Sequence, residues 1–121
     1  MRINVLLVLM LTACGAPATI KTVQSEVFDK SCAFSSCHKG ASPAGGLNLE
    51  NVTAAKLANV KATGAPSLTL VVPGKPDESY LIEKLTRAAP AAGVQMPQNG
   101  DALTAERLAL VRDWIAAGAK D

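Results

Sequence analysis

SCAFSSCHKG, residues 31–40, holds the only histidine of the chain and two of its three cysteines. Two readings compete for it. Cys32, Cys37 and His38 either grip a bound group, or they form a small disulfide loop beside an incidental histidine. Each reading needs different residues elsewhere, so the segment decides how the rest of the chain is understood.

The informative pair is Cys37-His38. If a haem vinyl group is bonded to the Cys37 sulfur, chain geometry puts the adjacent imidazole beneath the iron. Cys32 is then available for the second vinyl. The usual attachment motif is Cys-x-x-Cys-His, whereas four residues intervene here. The longer spacing extends the loop between the two thioethers without moving Cys37 relative to His38.

A six-coordinate electron-transfer haem needs a ligand on its other face, and no second histidine exists. Of the three methionines, Met1 and Met10 lie in an N-terminal apolar stretch, which leaves Met96. Methionine usually fills gaps in a core. Met96 instead sits in Gly93-Val94-Gln95-Met96-Pro97, a glycine- and proline-rich loop, where a ligand role is the better expectation.

Around these residues the pattern is helical. Ile20, Val23 and Val27 share one face of a helix that runs into the cysteine segment. Residues 39–46 read as loop, and a short helix is expected over Val52–Asn59. Ser67–Val72, SLTLVV, has strand-like composition but stops at Pro73-Gly74, so it reads as extended backbone rather than sheet. Pro76-Asp77-Glu78-Ser79 opens a helix to about Arg87, with its acidic residues where the helix dipole favours them. Tyr80, Leu81, Leu85 and Ile82 supply its apolar side. The last helix takes Thr104 as N-cap and Gly118 just past its end, with Leu108, Val111 and Ile115 in one stripe widened by Leu110 and Trp114. The expected fold class is all-α, a small domain with long loops.

The first residues belong to a different problem. Ile3 to Leu11 is apolar except for Asn4. As a helix it would rise only about 14 Å, against a hydrocarbon core of roughly 30 Å. It therefore reads as the apolar part of an export signal. Leu11-Thr12-Ala13-Cys14 resembles the bacterial lipobox, which implies acylation of Cys14 and a mature chain that starts there. The expected organisation is a signal peptide over 1–13, a lipidated tether over 14–19 and one domain over 20–121. Such a chain is exported and lipid-anchored in the cell envelope, its acyl chains held by about 0.8 kcal/mol per buried methylene. Gly15 to Thr19 extends at most about 17 Å, which keeps the domain near the membrane.

Removing Arg2 from twelve basic residues leaves eleven against ten acidic ones, without a basic run, so nucleic acid is excluded as an expected partner. Hydrophobic residues make up 49% of the chain, but alanine and the N-terminal stretch supply much of that. The aromatics are Phe28, Phe34, Tyr80 and Trp114 alone. Burial yields about 25 cal/mol per Å², and alanine offers little area. A flat apolar ring such as haem would fill the middle of a domain so thinly furnished.

SCAFSSCHKG, AGGLNLE, VVPGKPDESYLIEKL, QMP and LVRDWIAAGA occur in that order over nearly all of residues 23–119. In these elements the chain resembles the small c-type cytochrome domains of bacterial lipoproteins and exported redox proteins. The resemblance implies a cytochrome c-like helical fold whose first and last helices cross. It also implies one haem c held by thioethers from Cys32 and Cys37, with His38 as proximal and Met96 as distal ligand. One feature departs from the family. Its members usually carry a proline about a dozen residues after the histidine, whose carbonyl orients the imidazole. Pro43 comes too early, so the acceptor for His38 is unassigned.

Three rivals stand beside this reading. A Cys32–Cys37 disulfide would make the domain a non-haem surface interaction module of the envelope. Zinc suits a Cys-x4-Cys-His cluster but lacks a fourth soft ligand, with only Asp29 in reserve. A haem ligand sensor becomes the better reading if Met96 is not axial. With haem and a Met/His pair, the expected role is single-electron transfer between Fe(III) and Fe(II) to redox partner proteins in the envelope, not enzymatic catalysis. Catalysis at haem needs an open coordination site.

Overall fold

The computed structural model describes residues 18–121. Cys14, Met1, Met10 and the signal and lipobox segments lie outside the described residues. Helix α1 runs over 20–31 in three contiguous parts: α-helical Ile20–Val23, π-helical Gln24–Phe28 and α-helical Asp29–Ser31. Thr19 caps it, its hydroxyl accepting from the Thr22 amide. Ile20, Val23 and Val27 are buried as their spacing predicts, and Phe28 and Cys32 join them.

The π-helical turn explains that addition. At 100° per residue a uniform helix would carry Phe28 roughly 80°, and Cys32 roughly 120°, away from Ile20. The wider π turn underwinds the helix and returns both to the buried face. Gln24 fixes this part of α1 to the following loop. Its amide donates to Asp29 Oδ1 (2.7 Å) and to the Leu49 carbonyl (2.8 Å), and its Oε1 accepts from the Val52 amide (3.0 Å).

The middle of the chain is less helical than its composition predicts. Over the expected helix at residues 52–59 only a 3₁₀ turn forms, at Ala54–Lys56. Asn59 takes φ 60°, and residues 58–62 pair instead with SLTLVV. The pairing consists of two isolated bridges, Ala58 with Val71 and Lys61 with Thr69, and no strand forms among the described residues.

The helix expected from Pro76 to Arg87 is likewise divided. Pro76–Glu78 is a 3₁₀ turn, Ser79 is extended, and helix α2 covers Tyr80–Thr86. Ser79 breaks the run because its buried hydroxyl is committed elsewhere. It accepts from the Val72 amide at 2.9 Å and donates to the Lys75 carbonyl at 2.9 Å. Tyr80, Leu81, Ile82 and Leu85 are all buried, so α2 is enclosed on more than one side.

Helix α3, Ala105–Ala116, follows its predicted limits. Thr104 accepts from the Arg107 amide at its start. At its end Gly118, at φ 114°, donates to the Ile115 carbonyl while Ala119 donates to that of Trp114. This pair of bonds satisfies carbonyls that the helix leaves open. Val111, Trp114 and Ile115 are buried, and the indole of Trp114 donates to the Lys120 carbonyl at 2.7 Å. Helix α3 packs against the first turn of α1, against α2 and against the Pro76–Glu78 turn.

The core is better filled than the composition predicts. Trp114, Phe28, Leu57, Ile115, Val23, Val27, Val71 and Val111 are the largest fully buried side chains, and Tyr80 is buried with them. Three of the four aromatics are thus buried in the core. The fourth, Phe34, is 47% exposed.

Candidate functional site

The segment after α1 makes its own geometry. Cys32 and Ala33 both donate to the Phe28 carbonyl, ending the helix. The amide of Cys37 then donates to the Phe34 carbonyl at 2.8 Å, and that of His38 to the Cys32 carbonyl at 3.1 Å. The second bond closes a loop whose two ends are the predicted attachment cysteine and the predicted ligand histidine. Three of the four intervening residues, Phe34, Ser35 and Ser36, are therefore exposed, whereas Ala33 packs against the core and Cys32 is buried.

A second loop orients the imidazole. Ala44 donates to the Cys37 carbonyl and Leu49 to that of His38, which pins residues 37–49 at both ends. Gly45 and Gly46 adopt φ 60° and 71°, a left-handed turn that side chains with a Cβ resist. The turn brings the Leu47 carbonyl to 3.0 Å from His38 Nδ1. A carbonyl only accepts, so Nδ1 carries the hydrogen, and in the neutral imidazole Nε2 is then the nitrogen with the lone pair. Leu47 thus fills the role for which Pro43 comes too early. The sequence signal beside it, the Gly-Gly pair, marks a loop but not this acceptor.

Cys32, Cys37 and His38 line one cavity of about 440 Å³, with Lys30, Phe34 and residues of the 97–107 segment opposite. None of the eight fully buried core side chains lines it, so the cavity lies beside the core. Neither Cys32 nor Cys37 is in a disulfide. Burial, with a smaller contribution from Cys37, pushes the Cys32 thiol up to about 11. Among the described residues no three His, Cys, Asp or Glu side chains converge as metal ligands. Asp29, the reserve zinc ligand, instead accepts from Gln24.

Met96 lies elsewhere. It lines an adjoining cavity of about 370 Å³ with Val94, Gln95 and residues 97–100. Pro97, Gln98, Gly100 and Ala102 line both cavities. The structure therefore lines one cavity with three of the four predicted cofactor residues and the adjoining cavity with the fourth. Its loop is fastened to α2. The Met96 amide donates to the Lys84 carbonyl at 2.7 Å, and the Gln95 side chain to the Leu85 carbonyl at 3.1 Å. Partial burial lowers the Lys84 pKa, and Glu83 partly offsets this.

These residues fit a haem. Two thiols and one imidazole with a free Nε2 face a cavity within the size range of ligand pockets. The donor set is that of covalent haem attachment. No helix among the described residues is long and apolar enough to cross a membrane.

No curated protein and no solved structure matches the chain. The planctomycete cytochrome C family matches residues 35–100, a span that includes Cys37, His38 and Met96 and begins after Cys32. A cytochrome c domain holds its haem covalently and serves haem-based electron transfer. Matched over more than half its length, with the histidine and its neighbouring cysteine inside the match, the chain belongs to the planctomycete cytochrome c family.

Proposed function

We propose that the chain is a single-haem electron carrier, exported and lipid-anchored through Cys14. In this reading Cys32 and Cys37 form the thioethers, His38 is the proximal ligand and Met96 the distal one. The observation that carries it is the imidazole held through Nδ1 by the Leu47 carbonyl, in the cavity lined by both thiols. That bond orients the ring, keeps Nε2 available and raises its basicity as a ligand. When bound, haem supplies a one-electron couple between Fe(III) and Fe(II).

The protein's own groups do the rest. Cys32 enters as a neutral thiol, since its pKa is well above neutrality. Phe34 is exposed and lines the cavity with Lys30 and Arg107, whose charges are offset by Glu26, paired with Lys30 at 2.7 Å, and by Asp101 in the same lining. Met/His ligation raises the reduction potential. The domain has no enzymatic role in this reading. Its partners are redox proteins of the envelope and, through the N-terminal lipid, the membrane.

A second reading has one observation in its favour. Met96 lines the adjoining cavity rather than the one with His38. A haem bound there with its distal position open would bind small ligands and act as a sensor. The two readings separate on the ferrous holoprotein. A carrier with Met96 on the iron resists carbon monoxide and, when ferric, shows the weak near-infrared sulfur-to-iron band. A sensor binds the gas at once and lacks the band.

A further inference from the structure

We propose that Lys84, assisted by Tyr80, is a positioning residue that latches the 91–96 loop onto α2 and so sets where Met96 stands. The inference rests on the ligand role given to Met96 above. Its observations are all in the latch.

The ammonium of Lys84 donates to the Ala92 carbonyl at 2.9 Å. The phenol of Tyr80, one turn earlier on the same face of α2, donates to that carbonyl at 3.1 Å and accepts from the Ala92 amide at 3.1 Å. Both backbone groups of Ala92 are thus held, and its carbonyl has a donor for each lone pair. Lys84 also acts at its other end, since its carbonyl accepts the Met96 amide at 2.7 Å. One residue therefore grips the loop at two places, its side chain at residue 92 and its backbone at residue 96.

Between these points the chain must turn tightly. Gly93 has φ 67°, and a Cβ there would come within 3.0 Å of Lys84 Nζ. The Ala91 amide on Glu83 Oε2 and the Gln95 side chain on the Leu85 carbonyl complete the attachment. Consecutive residues of α2 thus meet almost consecutive residues of the loop. Hydrogen bonds to a charged group contribute more than neutral ones, and of the two such contacts that of Lys84, at 2.9 Å, is shorter than that of Glu83, at 3.3 Å. Without the Lys84 contact the middle of the loop is held by the Tyr80 phenol alone, through neutral bonds.

The test compares wild-type holoprotein with Lys84→Met, Lys84→Arg, Tyr80→Phe and Met96→Ala. Methionine keeps the length and apolar stem of lysine, so Lys84→Met should fold with wild-type helix content and covalent haem. Expected in Lys84→Met are loss of at least half of the near-infrared band, a fall in midpoint potential, and about tenfold faster amide exchange at Ala92 and Met96. Lys84→Arg should restore all three, and Tyr80→Phe, which removes the acceptor of the Ala92 amide itself, should speed exchange at Ala92 at least as much as Lys84→Met. Wild-type exchange rates in Lys84→Met would overturn the latch. Faster exchange with an unchanged band and potential would also overturn the proposal, because the loop would then not position Met96. If Met96→Ala keeps the band, the ligand reading fails separately. The exchange rates of the lysine variants then decide the latch alone.

Discussion

The two sides of the candidate site are built in opposite ways. The histidine side is local: Cys32, Cys37, His38 and Leu47 lie within sixteen residues of each other, and short-range backbone bonds close both loops. The methionine side is remote-controlled. Met96 sits in a loop without helix, and its position depends on Tyr80, Glu83, Lys84 and Leu85 of α2. The difference teaches that the first half is preorganised by chain geometry and the second by tertiary contacts. Damage to either should therefore show a different signature.

The largest expected effect is on the local side. His38→Ala should abolish stable haem incorporation, measured as haem per protein after expression in a cytochrome c-maturing host. A normal haem yield would break the comparison at its stronger end.

Met96→Ala should be milder. Covalent haem should remain while the near-infrared band disappears, since the attachment residues are untouched. If haem content fell as far as in His38→Ala, the two sides would not be separable in this way.

Gly46→Val sharpens the local side further. A β-branched residue at φ 71° is strained, at a cost of about 1–2 kcal/mol. The midpoint of chemical unfolding should fall accordingly, and the midpoint potential should shift as the Leu47 carbonyl moves from Nδ1. An unchanged potential would mean that the carbonyl does not tune the imidazole.

Much of the local side was legible in the sequence, because it rests on adjacency. Cys37-His38 is a covalent neighbourhood, and the glycines of residues 39–46 mark a loop, though not its left-handed turn at Gly45-Gly46 or the Leu47 acceptor. Adjacency also made Thr104 and Gly118 legible, whose capping roles are decided within one turn of α3. What escaped was set by distant partners. Ser79 reads as part of a helix N-terminus until its hydroxyl is seen bonded to Val72 and Lys75. The underwound turn of α1 coincides with Gln24 reaching Leu49 and Val52, which no periodicity of residues 20–31 records. Residues 52–59 have helical composition, yet their pairing with SLTLVV holds them open. Met96 belongs to this second class: its uniqueness was visible, its place beside the other cavity was not.

The last expected effect appears only at alkaline pH and concerns Cys32 before haem is attached. Its folded pKa, about 11, exceeds the ordinary thiol value of 9.0. The native state therefore holds a proton that the unfolded chain releases at lower pH. The stabilisation is fully present below about pH 9 and is lost as pH rises towards 11, by at most about 3 kcal/mol. Unfolding of the haem-free protein, followed by urea between pH 8 and 11, should show this slope, and Cys32→Ala should remove it.

The most direct test of the whole site is the intact mass together with the reduced pyridine haemochrome spectrum of protein matured in such a host. The expected result is a mass gain of one haem and an α-band for two saturated vinyl groups, which requires both Cys32 and Cys37 as thioethers. A colourless protein two hydrogens lighter than its reduced chain would contradict it, because residues 32–38 would then be a disulfide loop.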